Sequence, residues 1–287
     1  MDLVSVIIPT YKGIHSICQS IDSVLNQDYK NIEIIVVDDN GEGTQEQIKT
    51  ENAIKGYINN GKIKYIKHKK NINGSAARNT GVKHAKGKYI ALLDDDDEFL
   101  PFKIRKQVEA LSGKGKDYAV CYTSYENVFP NQRRRVIRAE KEGNLCYELL
   151  SMQVSVLSSV MMVRKDAWED VGGFDETFKR DQDQEFCVRL FHKYKVVAVK
   201  DVCMTRNVLM RNVADVERGV EYRKYYLDKM KHIIETFNAE QRREIHSAQY
   251  TNIAKRYVKA KRFNKCLIYV LKSKTPFKAT RKLLSSY

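Results

Sequence analysis

Four carboxylates in a row, residues 94–97 (DDDD), follow the apolar run YIALL at residues 89–93 without a break. Neighbouring carboxylates repel one another and stay ionised together only where a cation or hydrogen-bond donors relieve them. Asp94 and Asp96 stand two apart, a D-x-D spacing that can share a hard divalent ion, Mg²⁺ or Mn²⁺, with substrate phosphates. A solvated acidic turn would have the same composition, and the apolar run leading straight into the tetrad favours a site. A second acidic pair, Asp38 and Asp39, follows IEIIVV at residues 32–37. A carboxylate there could accept a hydrogen bond from a nucleobase or ribose, or could end a strand, since Asp39-Asn40-Gly41 also reads as a turn. In NINGSAARNTG, residues 71–81, Gly74 and Gly81 could let backbone approach a ligand and Arg78 could pair with a phosphate. A helix N-terminus bearing one exposed Arg explains that stretch equally well. RDQDQEFCVRL, residues 180–190, holds Asp181, Asp183 and Glu185. One of these could act as general base to a hydroxyl, although alone the stretch reads better as a charged helix start.

These groups need strands that end together. VSVIIP at residues 4–9 and IEIIVV are β-branched runs of the kind that fill a strand buried on both faces. Residues 63–66 predict a weak third strand, residues 89–93 a fourth and residues 118–125 another. Ile14, Ile17, Ile21, Val24 and Leu25 recur at helical spacing, residues 71–86 suit a helix, and so do residues 102–111. The stretch with Phe186, Val188 and Leu190 fits strand alternation or a helix. Strands separated by helices predict an α/β fold with a mainly parallel sheet covered on both faces. Ligands in such folds sit at the carboxyl ends of strands, where the acidic groups fall.

The order of these pieces resembles the family 2 glycosyltransferases of GT-A fold. VSVIIPTY, VVDDN, NGSAARNTG, YIALLDDDDEFLP, GGFDETF and QDQEFCVRL appear in the family's order from about Val4 to Leu190. The resemblance implies transfer of a sugar from a nucleotide-sugar, expected to be UDP-linked, to a hydroxyl of a saccharide or lipid-linked saccharide, with Mn²⁺ or Mg²⁺ as cofactor. It implies that Thr10 and Tyr11 line the nucleotide pocket, with Tyr11 against the base. Asp39 would contact uracil with Asp38 in support, Arg78 would face the phosphates, and Asp95 would touch the ribose. Asp96 would be the main metal ligand and Asp94 would complete the D-x-D. Asp183 aligns with the catalytic acid, and Phe174, Asp175 and Glu176 lie in a loop that faces the acceptor. A single base opposite the leaving group implies direct displacement, hence inversion. The sequence departs from the family pattern at Asn40, where a Gly is frequent, and at Gln182, where a Glu often precedes the catalytic Asp.

The net charge of +15 is unevenly spread. Residues 202–287 hold 20 Lys and Arg against 7 Asp and Glu, so a surplus of 13 sits in that segment and only 2 in the rest. This step predicts a transferase domain over residues 1–205 and a basic helical region over residues 206–287. There Tyr226, Met230, Ile233, Ile234 and Phe237 form one helical stripe, Tyr250, Ile253, Ala254 and Tyr257 a second, and Leu267, Val270 and Leu271 a third before Thr275-Pro276; each is expected to be core. The basic surplus is expected to meet an anionic membrane surface through charge alone. A solvated face ranks next and nucleic acid last, since no nucleic-acid motif is present. No run approaches the roughly 18–20 apolar residues of a membrane span, and MDLVSVIIPTY does not read as a signal peptide. Six scattered cysteines without a CxxC pair argue for reduced thiols. The expected location is therefore cytoplasmic, peripheral on the inner face of the cell membrane. Two other functions fit less well. A sugar-phosphate nucleotidyltransferase would want a Gly-rich basic loop where PTYKG stands, and a non-catalytic basic adaptor on the same fold would bind without turnover.

Overall fold

The computed structural model of the chain describes residues 1–208 and 216–273. The chain divides into two compact units. The first comprises residues 1–143, 156–178 and 193–210; the second comprises residues 144–155, 179–192 and 211–287. The helical unit thus takes in two segments from within residues 1–205 as well as the basic end of the chain.

The first unit is built on one mixed sheet. In chain order it contains β1 (Val4–Thr10), α1 (Ile17–Leu25), β2 (Ile32–Asp38), α2 (Gln45–Asn59), β3 (Lys64–Lys67), α3 (Gly74–Lys83), β4 (Tyr89–Leu92), β5 (Asp97–Phe99), α4 (Lys103–Ser112), β6 (Tyr118–Val128) and β7 (Arg134–Ile137). After α5 (Cys146–Leu150), which belongs to the second unit, it resumes with β8 (Met161–Arg164) and α6 (Lys165–Asp170). It ends, past α7 (Gln182–Lys193), with β9 (Lys195–Asn207). The strand order is β3-β2-β1-β4-β8-β6-β9-β5, with β7 paired to β6. The first four strands in that order are parallel, and β6 and β9 are parallel; β8, β7 and β5 add antiparallel pairs.

Val4, Val6, Ile7 and Ile8 of β1 and Ile35, Val36 and Val37 of β2 are all buried. Both faces of these strands are covered, which explains their unbroken apolar runs. Helix α3 lies tightly on β1. A Cβ at Gly81 would meet the Ile7 side chain at 2.3 Å, so Gly81 serves helix–strand packing and not a ligand. Register then places the site. Thr10 of β1 lies opposite Asp38 of β2, and Ile7 lies opposite Leu92, two residues before the acidic tetrad. The carboxyl ends of β1, β2 and β4 meet at the point where the chain order reverses across the sheet, as a ligand crevice requires.

The second unit is helical, with α8 (Val216–Lys229), α9 (Lys231–Ile234), α10 (Ala239–Lys259) and α11 (Phe263–Lys272) beside α5 and α7. A capping box between Asn238 and Gln241 starts α10. Val220, Ile253, Ala254, Tyr257, Cys266, Tyr269 and Val270 form the core of these helices. The stretch around Phe186 is helix α7, which settles the choice left open by its periodicity. The third apolar stripe does not behave as expected. Val270 is core, whereas Leu267 and Leu271 are exposed, because α11 turns its Cys266–Tyr269–Val270 side inward. The helix end expected at Thr275-Pro276 lies outside the described residues.

Candidate active site

In the sheet unit, the acidic tetrad leaves β4 in a tight turn that its neighbours pin. The Asp94 backbone N–H donates to Ser159 Oγ (3.0 Å), Ser20 Oγ donates to the Asp97 carbonyl (2.8 Å), and Asn207 Nδ2 donates to the Asp96 carbonyl (3.3 Å). One carboxylate oxygen each from Asp94, Asp96 and Asp97 lies within 4.8 Å of the others. Asp97 is buried at the start of β5 opposite Arg206, and its Oδ1 has no hydrogen-bond partner. Burial, and next the charge of Asp94, raise its pKa. Three crowded carboxylates with an orphaned oxygen fit a hard divalent cation bound through oxygen. The sequence put Asp94 and Asp96 in this group; Asp97 joins them because the chain turns into β5 at that residue.

Asp95 points the other way, toward the loop after β1. Thr10 Oγ1 donates to its Oδ2 at 2.6 Å and the Tyr11 backbone N–H at 3.3 Å. Burial pushes the Asp95 carboxyl up to about 6, and the neighbouring Asp94 and Asp96 add to the shift. A Cβ at Gly13 would lie 1.9 Å from Asp95 Oδ2 and 2.8 Å from Thr10 Oγ1, so only glycine leaves room for this contact. Tyr11 is 50% exposed, and Lys12 Nζ lies 5.2 Å from its ring centroid.

Asp38 and Asp39 are both buried. Asp38 Oδ1 accepts from the Asn40 N–H (2.8 Å) and Oδ2 from Tyr65 Oη (2.6 Å); burial raises its pKa. Asp39 Oδ1 pairs with His68 Nδ1 at 2.7 Å and accepts from the Ile72 N–H at 2.9 Å. Its Oδ2 accepts from Asn71 Nδ2 at 2.8 Å. With about four acceptor directions on a carboxylate, three protein donors leave Asp39 one direction to offer. His68 is braced in turn by Thr80 at 2.9 Å. Asn40, where the family often has Gly, is put to use: its Oδ1 accepts from the Lys12 N–H at 2.8 Å, tying the loop after β2 to the loop after β1.

Arg78, on α3, is buried and donates to Asp94 Oδ1 at 2.5 Å. Its guanidinium lies over the Phe174 ring, 5.5 Å from the centroid. Phe174 is itself buried, against Trp168 as well, so this residue of the expected acceptor loop supports Arg78 and presents no surface to an acceptor. Asp175 accepts from the Thr177 N–H and Oγ1, and Glu176 is exposed. Asn79 holds this loop. Its Nδ2 donates to the Phe174 carbonyl and to Glu176 Oε1, and its Oδ1 accepts from the Phe174 N–H.

In the helical unit, Asp183 is half-buried in the first turn of α7. Its two acidic neighbours are engaged. Asp181 pairs with the buried Arg223 at 3.3 Å, and Glu185 pairs with Arg189 one turn on. Arg223 also donates to Gln184 (2.9 Å). The residues missed by sequence reasoning, Gly13, Asn40, Tyr65, His68, Asn71, Asn79 and Asp97, are mostly polar groups one contact behind a predicted site residue. Asn40 in VVDDN, Asn71 and Asn79 in NINGSAARNTG and Asp97 in the tetrad stood inside patterns that could have flagged them; Tyr65 and His68 did not.

Residues 5–189 match Glycosyl transferase family 2. An uncharacterized glycosyltransferase of Rickettsia bellii is 34% identical over 224 residues, 76% of this chain and 30% of that protein. The chain spans about a third of the length of this relative and of one from Rickettsia felis. The amylovoran biosynthesis glycosyltransferase AmsB of Erwinia amylovora is 27% identical over 243 residues, covering 79% of this chain and 77% of that one. Among solved structures, S. aureus TarS 1–349 in complex with UDP-GlcNAc superposes with a TM-score of 0.64 at 16% identity, over 96% of this chain and 92% of that one. The mannosyltransferase PcManGT of Pyrobaculum calidifontis, in complex with GDP-Man and Mn²⁺, gives 0.63 at 15% identity, over 100% and 81%.

Proposed function

The chain belongs to glycosyl transferase family 2, and from that premise we propose that it is a metal-dependent, inverting transferase. It moves a sugar from a UDP-sugar to a hydroxyl of a saccharide or lipid-linked saccharide in cell-surface polysaccharide synthesis. The observation that carries this reading is the meeting of Tyr11, Asp39, Asp95 and the Asp94–Asp96–Asp97 cluster at the carboxyl ends of three parallel strands. TarS with UDP-GlcNAc, PcManGT with GDP-Man and Mn²⁺, and AmsB in amylovoran biosynthesis support the donor class, the metal and the pathway class.

In this reading Tyr11 stacks on the base and the free acceptor direction of Asp39 takes a base N–H. Asp95, fixed by Thr10, accepts from a ribose hydroxyl. Asp94, Asp96 and Asp97 hold Mn²⁺ or Mg²⁺, which when bound neutralises charge on the departing nucleoside diphosphate. Arg78 adds a fixed positive charge beside Asp94. Asp183 takes the proton of the attacking hydroxyl as that oxygen displaces the diphosphate from the anomeric carbon. Asp175 and Glu176 contact the acceptor. The basic helical region meets an anionic membrane surface, with the enzyme peripheral on its cytoplasmic face. Titration calorimetry tests the donor site. UDP should bind in the presence of Mn²⁺ and lose at least tenfold in affinity with chelator; equal affinity in both conditions would remove the metal from the reading.

A further inference from the structure

Helix α11 is apolar on two sides. Cys266, Tyr269 and Val270 face the core of the helical unit. Phe263, Leu267, Ile268 and Leu271 are 65%, 58%, 50% and 62% exposed. At about 100° per residue, Phe263, Leu267 and Leu271 fall within an arc of about 80°, and Ile268 lies about 60° beyond. Four large apolar side chains on ten residues make a ridge, not a scatter of single exposed groups. The helical unit covers the Cys266–Tyr269–Val270 side, and the exposed ridge, broken only by Asn264, is left to be covered by something else.

The surroundings of the ridge say what would cover it. Residues 245–273 contain seven Lys and Arg and no Asp or Glu, and two of the seven, Arg262 and Lys265, pair with Glu217 of α8. Lys259, Lys261 and Lys272 are exposed at the two ends of the helix. Lys272 borders the ridge on one side and on the other a cleft of about 730 Å³ whose charged lining also includes Lys224, Lys231 and Arg242 against Asp228 and Glu235. An apolar ridge with a cationic rim matches the boundary between anionic headgroups and acyl chains. A second copy of α11 set against the first would bring two cationic rims together, and a nucleic acid would gain nothing from Leu267, Ile268 and Leu271.

We propose that α11 is a membrane-docking element whose ridge enters an anionic bilayer while Lys259, Lys261 and Lys272 take lipid phosphates. The proposal rests on the membrane-surface reading given above and adds insertion to it. Attachment by charge alone is released by salt; an inserted ridge resists it.

The test uses the full chain carrying Phe263→Trp, since the native Trp168 is buried and gives a constant background. Vesicles of phosphatidylglycerol and phosphatidylcholine, with and without bromine-labelled acyl chains, are added at low salt and at about 0.5 M salt, where the Debye length falls below about 8 Å. The expected result is a blue shift, quenching by the brominated chains, and binding that persists at high salt. Leu267→Asp with Leu271→Asp should weaken binding about 10–100-fold without lowering the melting temperature, because both positions are exposed. Binding at low salt that vanishes at high salt without quenching would overturn insertion and leave the charged-surface reading standing. Failure to bind at either salt would overturn both. A spectrum already blue-shifted in buffer, or dimers that the double variant abolishes, would assign the ridge to another part of this chain or to a second copy, and would also overturn the proposal.

Discussion

Gly13→Ala is the smallest change that should unmake the nucleotide site. The added methyl would sit 1.9 Å from Asp95 Oδ2 and 2.8 Å from Thr10 Oγ1, one at each end of their 2.6 Å hydrogen bond. Ordinary contact of carbon with oxygen needs more than about 3 Å, so the carboxylate must retreat by about 1 Å or more. That stretches the Thr10 bond past useful length and breaks the already long 3.3 Å bond from the Tyr11 N–H. A hydrogen bond to a charged group is worth about 1.5–3 kcal/mol. Losing the one that orients Asp95 should therefore weaken UDP binding by about 10–100-fold. Calorimetric titration of UDP with Mn²⁺ present measures this, with a thermal melt to show that the variant is folded. A folded Gly13→Ala protein that binds UDP within twofold of the parent would show that Asp95 has no fixed place in nucleotide binding.

Asp96→Asn should abolish metal-dependent UDP binding, and Asp97→Asn should weaken Mn²⁺ affinity about 10–100-fold; equilibrium dialysis against Mn²⁺ reads both. Asp183→Asn should leave UDP affinity unchanged and cut transfer about 10²–10⁴-fold, measured as product formed at saturating donor; near-normal transfer would move the base elsewhere. Lys103 is buried with its Nζ 3.9 Å from the Phe99 ring centroid and 2.7 Å from Gln107 Oε1, and burial pushes its pKa down to about 7 from an ordinary 10.5. Between those values the folded state holds fewer protons than the unfolded, so stability rises as pH climbs from about 7 to about 10, and below pH 7 the cost is fully present. The stability difference between Lys103→Met and parent should therefore shift by about 3–4 kcal/mol in the parent's favour from pH 7 to pH 10, read by urea unfolding at both values.

How far the sequence disclosed this arrangement follows from what each signal depends on. β1, β2 and β4 were legible because strands buried on both faces are unbroken apolar runs, and register then carries Thr10, Asp38 and the tetrad to one edge. Helix α2 was not, since of its fifteen residues only Gln47, Thr50 and Ile54 are buried and no apolar stripe results. The stripe from Tyr226 to Phe237 reads as one helix, yet the chain breaks at Met230 into α8 and α9. In α11 periodicity reports that apolar faces exist; it cannot say which of two faces turns inward. The second layer of the site, His68 behind Asp39 and Asn79 behind Phe174, joins residues 29 and 95 positions apart, and local pattern carries no trace of such pairs.

Turnover is the most direct test of sugar transfer by this chain. Purified protein is incubated with a panel of UDP-, GDP- and other nucleotide-sugars, with Mn²⁺, Mg²⁺ or chelator, and free nucleoside diphosphate is measured, since slow transfer to water needs no known acceptor. Metal-dependent release of UDP from at least one UDP-sugar is expected, absent with chelator and absent in Asp96→Asn. No release from any donor with either metal, by a protein that still binds UDP, would contradict it and leave a nucleotide-binding adaptor in place of an enzyme.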